Sequence, residues 1–195
     1  MDISSILGTV LSSDSLQNIS SASNADKKSV KNVLSAALPK LLEGMQAQNK
    51  DESTGFADAL LSHGKKDTSD LSSFLGNVDL KDGGKIIAHL LGDNSDNEIK
   101  SIAKESGVSK KKTSNILSAA APLIMSLLGQ QASSSASDSS ASAISSVVSL
   151  ILENVDVGSI LTSLLSGSDD DDDDNSSSSS GGLGSIIASL FKKKK

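Results

Sequence analysis

Two histidines are the residues of this sequence whose types could most directly support catalysis. His89 lies within the apolar stretch 84–92, His63 lies in a polar stretch, and there is no cysteine. Zinc sites need three or four ligands at set spacing, and acyl transfer needs a nucleophile, a base and an orienting group. A lone histidine supplies neither, so we expect His89 to pack in the core and to bond a backbone carbonyl. The sequence therefore predicts a non-enzymatic protein with no catalytic, cofactor or metal site.

A run of six aspartates, Asp169–Asp174, could in principle collect divalent cations. A loop that wraps calcium interleaves its carboxylates with glycine and carbonyl ligands, and this run has no such spacing. Adjacent like charges repel one another and stay extended. We therefore interpret the run as a solvated spacer.

Lysines at the predicted starts of two helices are candidate contacts for a partner. The candidate residues are Lys27, Lys28, Lys110, Lys111, Lys112 and Asn115. Paired positive charges of this kind suit an acidic protein surface or phosphate. The alternative is that they are simply exposed, where an unfavourable helix-dipole interaction costs roughly a few tenths of a kcal/mol.

The C-terminus carries the clearest interaction signal outside the predicted core. Five apolar residues fall on one helical face and are followed by four lysines: Leu183, Ile186, Ile187, Leu190, Phe191, Lys192, Lys193, Lys194 and Lys195. A stripe of two turns is too short to be a stable helix alone, so it gains from a protein groove or an anionic membrane surface. In the alternative, the lysines pair with Asp169–Asp174.

An internal repeat organises the elements that would position these residues. Segments 19–48 and 102–131 align without a gap and share Lys-Lys, Asn, Leu-Ser-Ala-Ala, Pro and a final Gln. Apolar residues recur at three- and four-residue spacing in both segments, which predicts two long helices that each bury one apolar face. Asp26 and Ser109 precede them as candidate caps. Pro39 and Pro122, at matched positions, predict a kink or a restart.

Composition limits the partners. All 18 basic residues are lysine, tryptophan and tyrosine are absent, and the net charge is −6. The chain lacks arginine, which makes bidentate contacts to phosphates and base edges, and it lacks tryptophan and tyrosine, on which bases stack. We therefore do not expect DNA to be a partner. The absence of cysteine and the lack of a signal-like N-terminus favour a cytoplasmic location, with peripheral membrane contact through the C-terminus as an option.

Several of these motifs resemble the YidB-like bacterial family of unknown function, family 937. The resemblance rests on Gly84–Gly92, Ile102–Ser109 and Leu117–Met125 and covers roughly residues 1–131. It implies a multihelical bundle containing homeodomain-like three-helix units, and it implies no activity.

Residues 98–117 also resemble a helix-turn-helix, with Gly107 in the turn and Lys110–Lys112 on a recognition helix. We expect this segment to be a scaffold, and a DNA-binding regulator is the alternative. The preferred interpretation is a helical protein-interaction or self-assembly module whose partner is an unknown protein or a second copy.

The predicted architecture is all-α, a bundle of two repeated helical units with a largely disordered C-terminal tail. The domain covers 1–131, with units at about 3–48 and 86–131 and a connection at 49–85. The low-complexity tail, 132–195, is rich in Ser, Asp and Lys and carries short apolar helices near 140–153, 157–166 and 183–191.

Overall fold

The computed structural model describes residues 3–50, 55–137 and 140–153. Within these ranges the chain forms nine α-helices, one 3-10 turn and no strand, so the predicted all-helical class is confirmed. The helices are α1 (Ile3–Val10), α2 (Ser13–Ser23), α3 (Lys27–Lys50), α4 (Phe56–Gly64), α5 (Leu71–Gly76), α6 (Leu80–Leu91), α7 (Ser95–Ser106), α8 (Lys110–Ser135) and α9 (Ala141–Glu153). The predicted segments 157–166 and 183–191, the aspartate run and the terminal lysines lie outside the described residues.

Helix α8 is the centre of the molecule. Every residue from Ile116 to Ser126 is buried, because α2, α4, α6 and α7 pack around this helix. By length and composition it is the one described helix that could cross a membrane, but 78% of its apolar window is buried inside the domain. Small residues within α8, among them three successive alanines at 119–121, allow neighbouring helices to pack on all its sides.

The prolines do not divide the long helices. Pro39 lies inside α3 and Pro122 lies inside α8, and each helix continues through its proline. The predicted restart is therefore wrong. Tertiary packing offsets the hydrogen bond that each proline cannot donate, since both helices bury apolar residues before and after it.

Glycines allow two helix pairs to cross in backbone contact. A Cβ placed on Gly83 of α6 would overlap the carbonyl oxygen of Ser118 in α8. A Cβ on Gly64 of α4 would lie 2.7 Å from the backbone carbon of Gly129, also in α8. No larger residue fits at these crossings without displacing a helix.

The helices that precede α3 and α8 end in the same way. Asn24 follows α2 with φ of 53°, and Gly107 follows α7 with φ of 70°, so both adopt the left-handed conformation. Asparagine tolerates this region better than other residues that carry a Cβ, which explains how it can stand where the second segment has glycine. Asp26 then caps α3 by accepting from the Ser29 backbone N–H at 2.8 Å. Ser109 makes no side-chain capping bond, contrary to the prediction.

Helix α9 packs on the domain although it lies in the serine-rich stretch. Ile144 and Val148 are fully buried against α3, α4 and α8. Asn49 of α3 donates from Nδ2 to the Ser145 carbonyl and to Ser149 Oγ, both at 2.9 Å. Residues 141–153 are therefore part of the folded core.

Candidate binding groove and charged helix ends

The lysines predicted as partner contacts all have exposed side chains: Lys27, Lys28, Lys110, Lys111 and Lys112. Two of them bond the first turn of the preceding helix. Lys27 Nζ donates to Ser13 Oγ at 3.2 Å, and Lys110 forms an ion pair with Asp96. The bonds from Lys110 and Lys100 lower the pKa of Asp96. Part of the positive charge at the start of α8 is thus neutralised within the domain.

The starts of α3 and α8 lie near each other. Hydrogen bonds from Ser29 hold the pKa of Asp26 below its usual range, and the charge of Lys112 adds to this effect. Asn32 of α3 also donates from Nδ2 to the Ser106 carbonyl at 3.5 Å, which ties α3 to the end of α7. The predicted contact lysines therefore belong to one mixed-charge end of the bundle.

Helix α8 exposes only its first turn at this end. Thr113 is fully buried and its hydroxyl donates to the Val108 carbonyl at 3.4 Å. Asn115, predicted as a contact, is half-buried, and continuous burial begins at Ile116. A helix buried in this way offers a partner three lysines and little else.

The two histidines exchange their expected environments. His89 was predicted to pack in the core, but its side chain is exposed, because α6 buries Gly83, Ile87 and Leu90 on its other face. Its backbone carbonyl accepts from Gln48 Nε2 at 3.0 Å. His63, expected in a polar connection, ends α4 and is half-buried.

The environment of His63 disfavours its protonated form. Burial lowers the pKa of His63, the charge of Lys66 lowers it further, and Asp82 opposes both. Its Nδ1 atom is buried and has no hydrogen-bond partner among the residues that the structure describes.

A groove lies between α5, α6 and α8 on the surface of the described residues, and the sequence did not predict it. It has a volume of about 560 Å³, within the range of about 300–1,000 Å³ that is common for ligand sites. Its floor is apolar, made by Phe74, Val78 and Pro122. Four carboxylates and one ammonium group form its rim: Asp67, Asp70, Asp79, Asp82 and Lys66. We call this feature the acid-rimmed groove.

Backbone capping fixes three of the four rim carboxylates. Asp70 caps the start of α5 and accepts from the N–H groups of Ser72 and Ser73 at 3.0 and 3.1 Å. Asp79 caps the start of α6 and accepts from the Lys81 N–H at 2.8 Å. Asp67 accepts from the Ser69 N–H at 2.9 Å. These side chains are exposed yet held in place, so they present negative charge in a fixed arrangement.

The same bonds favour the ionised forms of Asp67 and Asp70. Bonds from Ser69 lower the pKa of Asp67, and bonds from Ser73, with Ser72, lower that of Asp70. Asp82 lies 3.5 Å from Lys85 in an exposed ion pair. No three carboxylate or histidine side chains in the described ranges come close enough to hold a metal ion.

The wall of the groove is attached to the central helix. Gln130 of α8 donates from Nε2 to the Lys66 carbonyl at 2.8 Å, and Thr68 Oγ1 lies 3.2 Å from Gln130 Oε1. The only sequence signal for this site was the recurrence of aspartate before short helices in the predicted connection. That pattern predicts caps, but it does not reveal that the capping residues line one groove.

The described residues thus form an all-helical domain with an acid-rimmed groove on its surface. The chain belongs to the family described as bacterial protein of unknown function (DUF937), whose model matches residues 5–131. The resemblance found in the sequence motifs is therefore confirmed. No curated protein and no solved structure matches the chain.

Proposed function

We propose that this protein is a non-enzymatic helical interaction module that binds a basic, partly apolar segment in the acid-rimmed groove. The groove itself carries the proposal, because fixed carboxylates surround a floor of Phe74, Val78 and Pro122. A ligand that combines lysines with large apolar side chains would satisfy both surfaces at once. Apolar burial supplies affinity, and charge supplies selectivity and speed of association.

The lowered pKa values of Asp67 and Asp70 favour a binding role over a catalytic one. A general acid that works near neutral pH needs a raised pKa, whereas the pKa values of Asp67 and Asp70 are lowered. Ionised carboxylates that are already used as caps are suited to attract cations.

We also propose that the domain is built from two copies of one helical unit with homeodomain-like packing. Three pairs of landmarks support this, each 83 residues apart: Asn24 and Gly107, the helix starts Lys27 and Lys110, and Pro39 and Pro122. The packing is also reciprocal, since α2 lies on α8 while α7 lies on α3. The first turn of α6, which carries Gly83, has no counterpart in the shorter α1.

A DNA-binding regulator stays the alternative, and the geometry gives it little support. A recognition helix needs several exposed turns to read the major groove, whereas α8 exposes one. Lys110 is already paired with Asp96. We expect duplex DNA to bind weakly and without sequence preference at physiological salt. In an anisotropy titration, tight sequence-dependent binding that is lost on changing Lys110–Lys112 to Ala would establish the alternative instead.

Binding of a defined probe to the full chain tests the groove. The probe is a fluorescent peptide of alternating leucine and lysine pairs, compared with a leucine–glutamate peptide of the same length. We expect the lysine probe to bind with a salt-dependent Kd, and the double variant Asp67→Asn/Asp82→Asn to weaken binding about tenfold by anisotropy, the loss of roughly 1.4 kcal/mol of attraction.

A matched variant controls for net charge. Asp58 and Asp93 are exposed and do not line the groove. Asp58→Asn/Asp93→Asn changes the total charge by the same amount and should leave the Kd unchanged. Equal weakening by both double variants, or equal binding of both peptides, would contradict the proposed function.

A further inference from the structure

The apolar floor of the acid-rimmed groove is half-buried, and no described segment covers it. Phe74 and Val78 keep part of their surface exposed beside the carboxylates of Asp70 and Asp79. The chain continues for 42 residues beyond α9, through 154–195. We propose that its own C-terminus, Leu183–Lys195, docks in this groove. This inference rests on the proposed function, because a partner that binds the groove must first displace the C-terminal segment.

The C-terminus has the chemistry that the groove requires. Leu190 and Phe191 are followed at once by Lys192–Lys195, so apolar bulk and positive charge are adjacent. Phe191 is one of three phenylalanines in the chain, and Phe74 on the groove floor is another. Contact between two aromatic rings is favourable beyond the apolar area that it buries. Four lysines then meet a rim of four carboxylates and one lysine.

The connecting segment is long enough for the C-terminus to reach the groove on the same molecule. Between Glu153, which ends α9, and Leu183 lie 29 residues, many of them Ser, Gly and Asp. By the scaling that holds for Gly- and Ser-rich chains, 29 residues span roughly 30 Å, comparable to the diameter of a domain of this size. The effective concentration is then on the order of a millimolar, far above a micromolar concentration of a second copy. Docking in cis is therefore favoured.

The groove is a better partner for the terminal lysines than the aspartate run. Asp169–Asp174 offers charge but no apolar surface, so pairing there would leave Leu190 and Phe191 in water. Asp70 and Asp79 are already held by backbone bonds, so pairing with them requires no further ordering of these carboxylates. An anionic membrane could also bury these apolar residues and attract the adjacent lysines, so membrane binding is a competing outcome of the experiment below.

Paramagnetic relaxation enhancement on the full chain tests this directly. The sequence has no cysteine, so Ser189→Cys places one nitroxide label in the C-terminus. We expect the label to broaden the amide signals of Ser73, Asn77 and Val78 in the groove. The broadening should survive Asp169–Asp174→Ser and Asp58→Asn/Asp93→Asn. It should be lost in Asp67→Asn/Asp82→Asn and in Lys192–Lys195→Ser.

Three results would overturn the inference. One is the absence of broadening in the groove signals, and if the C-terminal signals also disappear when phosphatidylglycerol vesicles are added, the segment binds a membrane instead. Another is loss of the broadening on replacing the aspartate run alone. The third is equal broadening when the label and the ¹⁵N nuclei are on different molecules in a mixed sample, which would assign the contact to a second copy.

Competition with the leucine–lysine probe separates this inference from the proposed function. If the C-terminus occupies the groove, Lys192–Lys195→Ser removes the competitor and the probe should bind about tenfold more tightly. If the probe binds the groove equally in both chains, the docking inference fails while the proposed function stands. If the probe does not bind either chain at the groove, the proposed function fails.

Discussion

At the scale of single residues, His63 gives the domain a pH dependence. Because its folded pKa is lowered below 6.5, mainly by burial, the unfolded chain binds more protons in the window just under pH 6.5. Its contribution to the free energy of unfolding is complete above pH 6.5 and is lost as the pH falls through the lowered pKa. The pKa values of Asp67, Asp70 and Asp96 are lowered from 3.8, so these carboxylates do not titrate in this window.

We predict that His63→Gln flattens the stability profile between about pH 7.5 and 5, where histidine is the side chain that titrates. The measurement is the urea midpoint as a function of pH, followed by circular dichroism. His89→Gln, at an exposed position on α6, is the control and should retain the wild-type slope. A flattened profile in the His89 variant alone would contradict the assignment of the pH dependence to His63.

The residues that precede the two long helices, Asp26 and Ser109, differ in how much they stabilise the start of each helix. Asp26 accepts from both the N–H and the hydroxyl of Ser29, at 2.8 and 2.7 Å, whereas Ser109 makes no capping bond at the start of α8. Asp26→Ala should lower the urea midpoint because it exposes unsatisfied N–H groups of α3. Ser109→Ala should change it little. If Asp26→Ala and Ser109→Ala lowered the urea midpoint and the melting temperature equally, the difference assigned to the two caps would be contradicted.

At the scale of elements, the crossing of α6 over α8 makes a prediction that reverses the usual effect of glycine. Alanine in place of glycine within a helix normally stabilises it by about 0.5–1 kcal/mol. At Gly83 the new Cβ would overlap the Ser118 backbone, so Gly83→Ala should instead lower the free energy of unfolding by about 1–3 kcal/mol. Differential scanning calorimetry and urea denaturation both measure this.

The neighbouring Gly84 is the matched control. Its added Cβ would lie 3.4 Å from Ser118 Oγ, a side-chain atom that can rotate away. Gly84→Ala should therefore be neutral or stabilising. If both substitutions changed stability in the same direction and by the same amount, α6 and α8 would not cross in backbone contact at this point.

At the scale of the whole molecule, α9 extends the folded domain past the segment matched by its family. The match ends at residue 131, yet Ala132 is buried and α8 continues to Ser135. We predict that Ile144→Ala lowers the free energy of unfolding by about 2–5 kcal/mol, as expected for a buried isoleucine. Leu150→Ala, at a side chain that is 62% exposed, should change it by less than about 0.5 kcal/mol. A small effect at both positions would mean that α9 is not part of the cooperative unit.

The sequence by itself determined the helical class, the two long helices and the spacing between their matched landmarks. These properties depend on local periodicity and on residues such as Asn24 and Gly107 that tolerate the left-handed turn. Each is encoded within a few neighbouring positions, so it can be read without knowing which helices touch.

The tertiary structure alone decided which face of each helix meets a neighbour. His89 stands among apolar residues in the sequence but points outward, while His63 becomes half-buried at the end of α4. The acid-rimmed groove combines caps of α5 and α6 with Pro122 from the middle of α8, residues that lie more than 40 positions apart. Their proximity follows from the glycine crossing that places α6 against α8, and such a long-range contact has no signature in local periodicity.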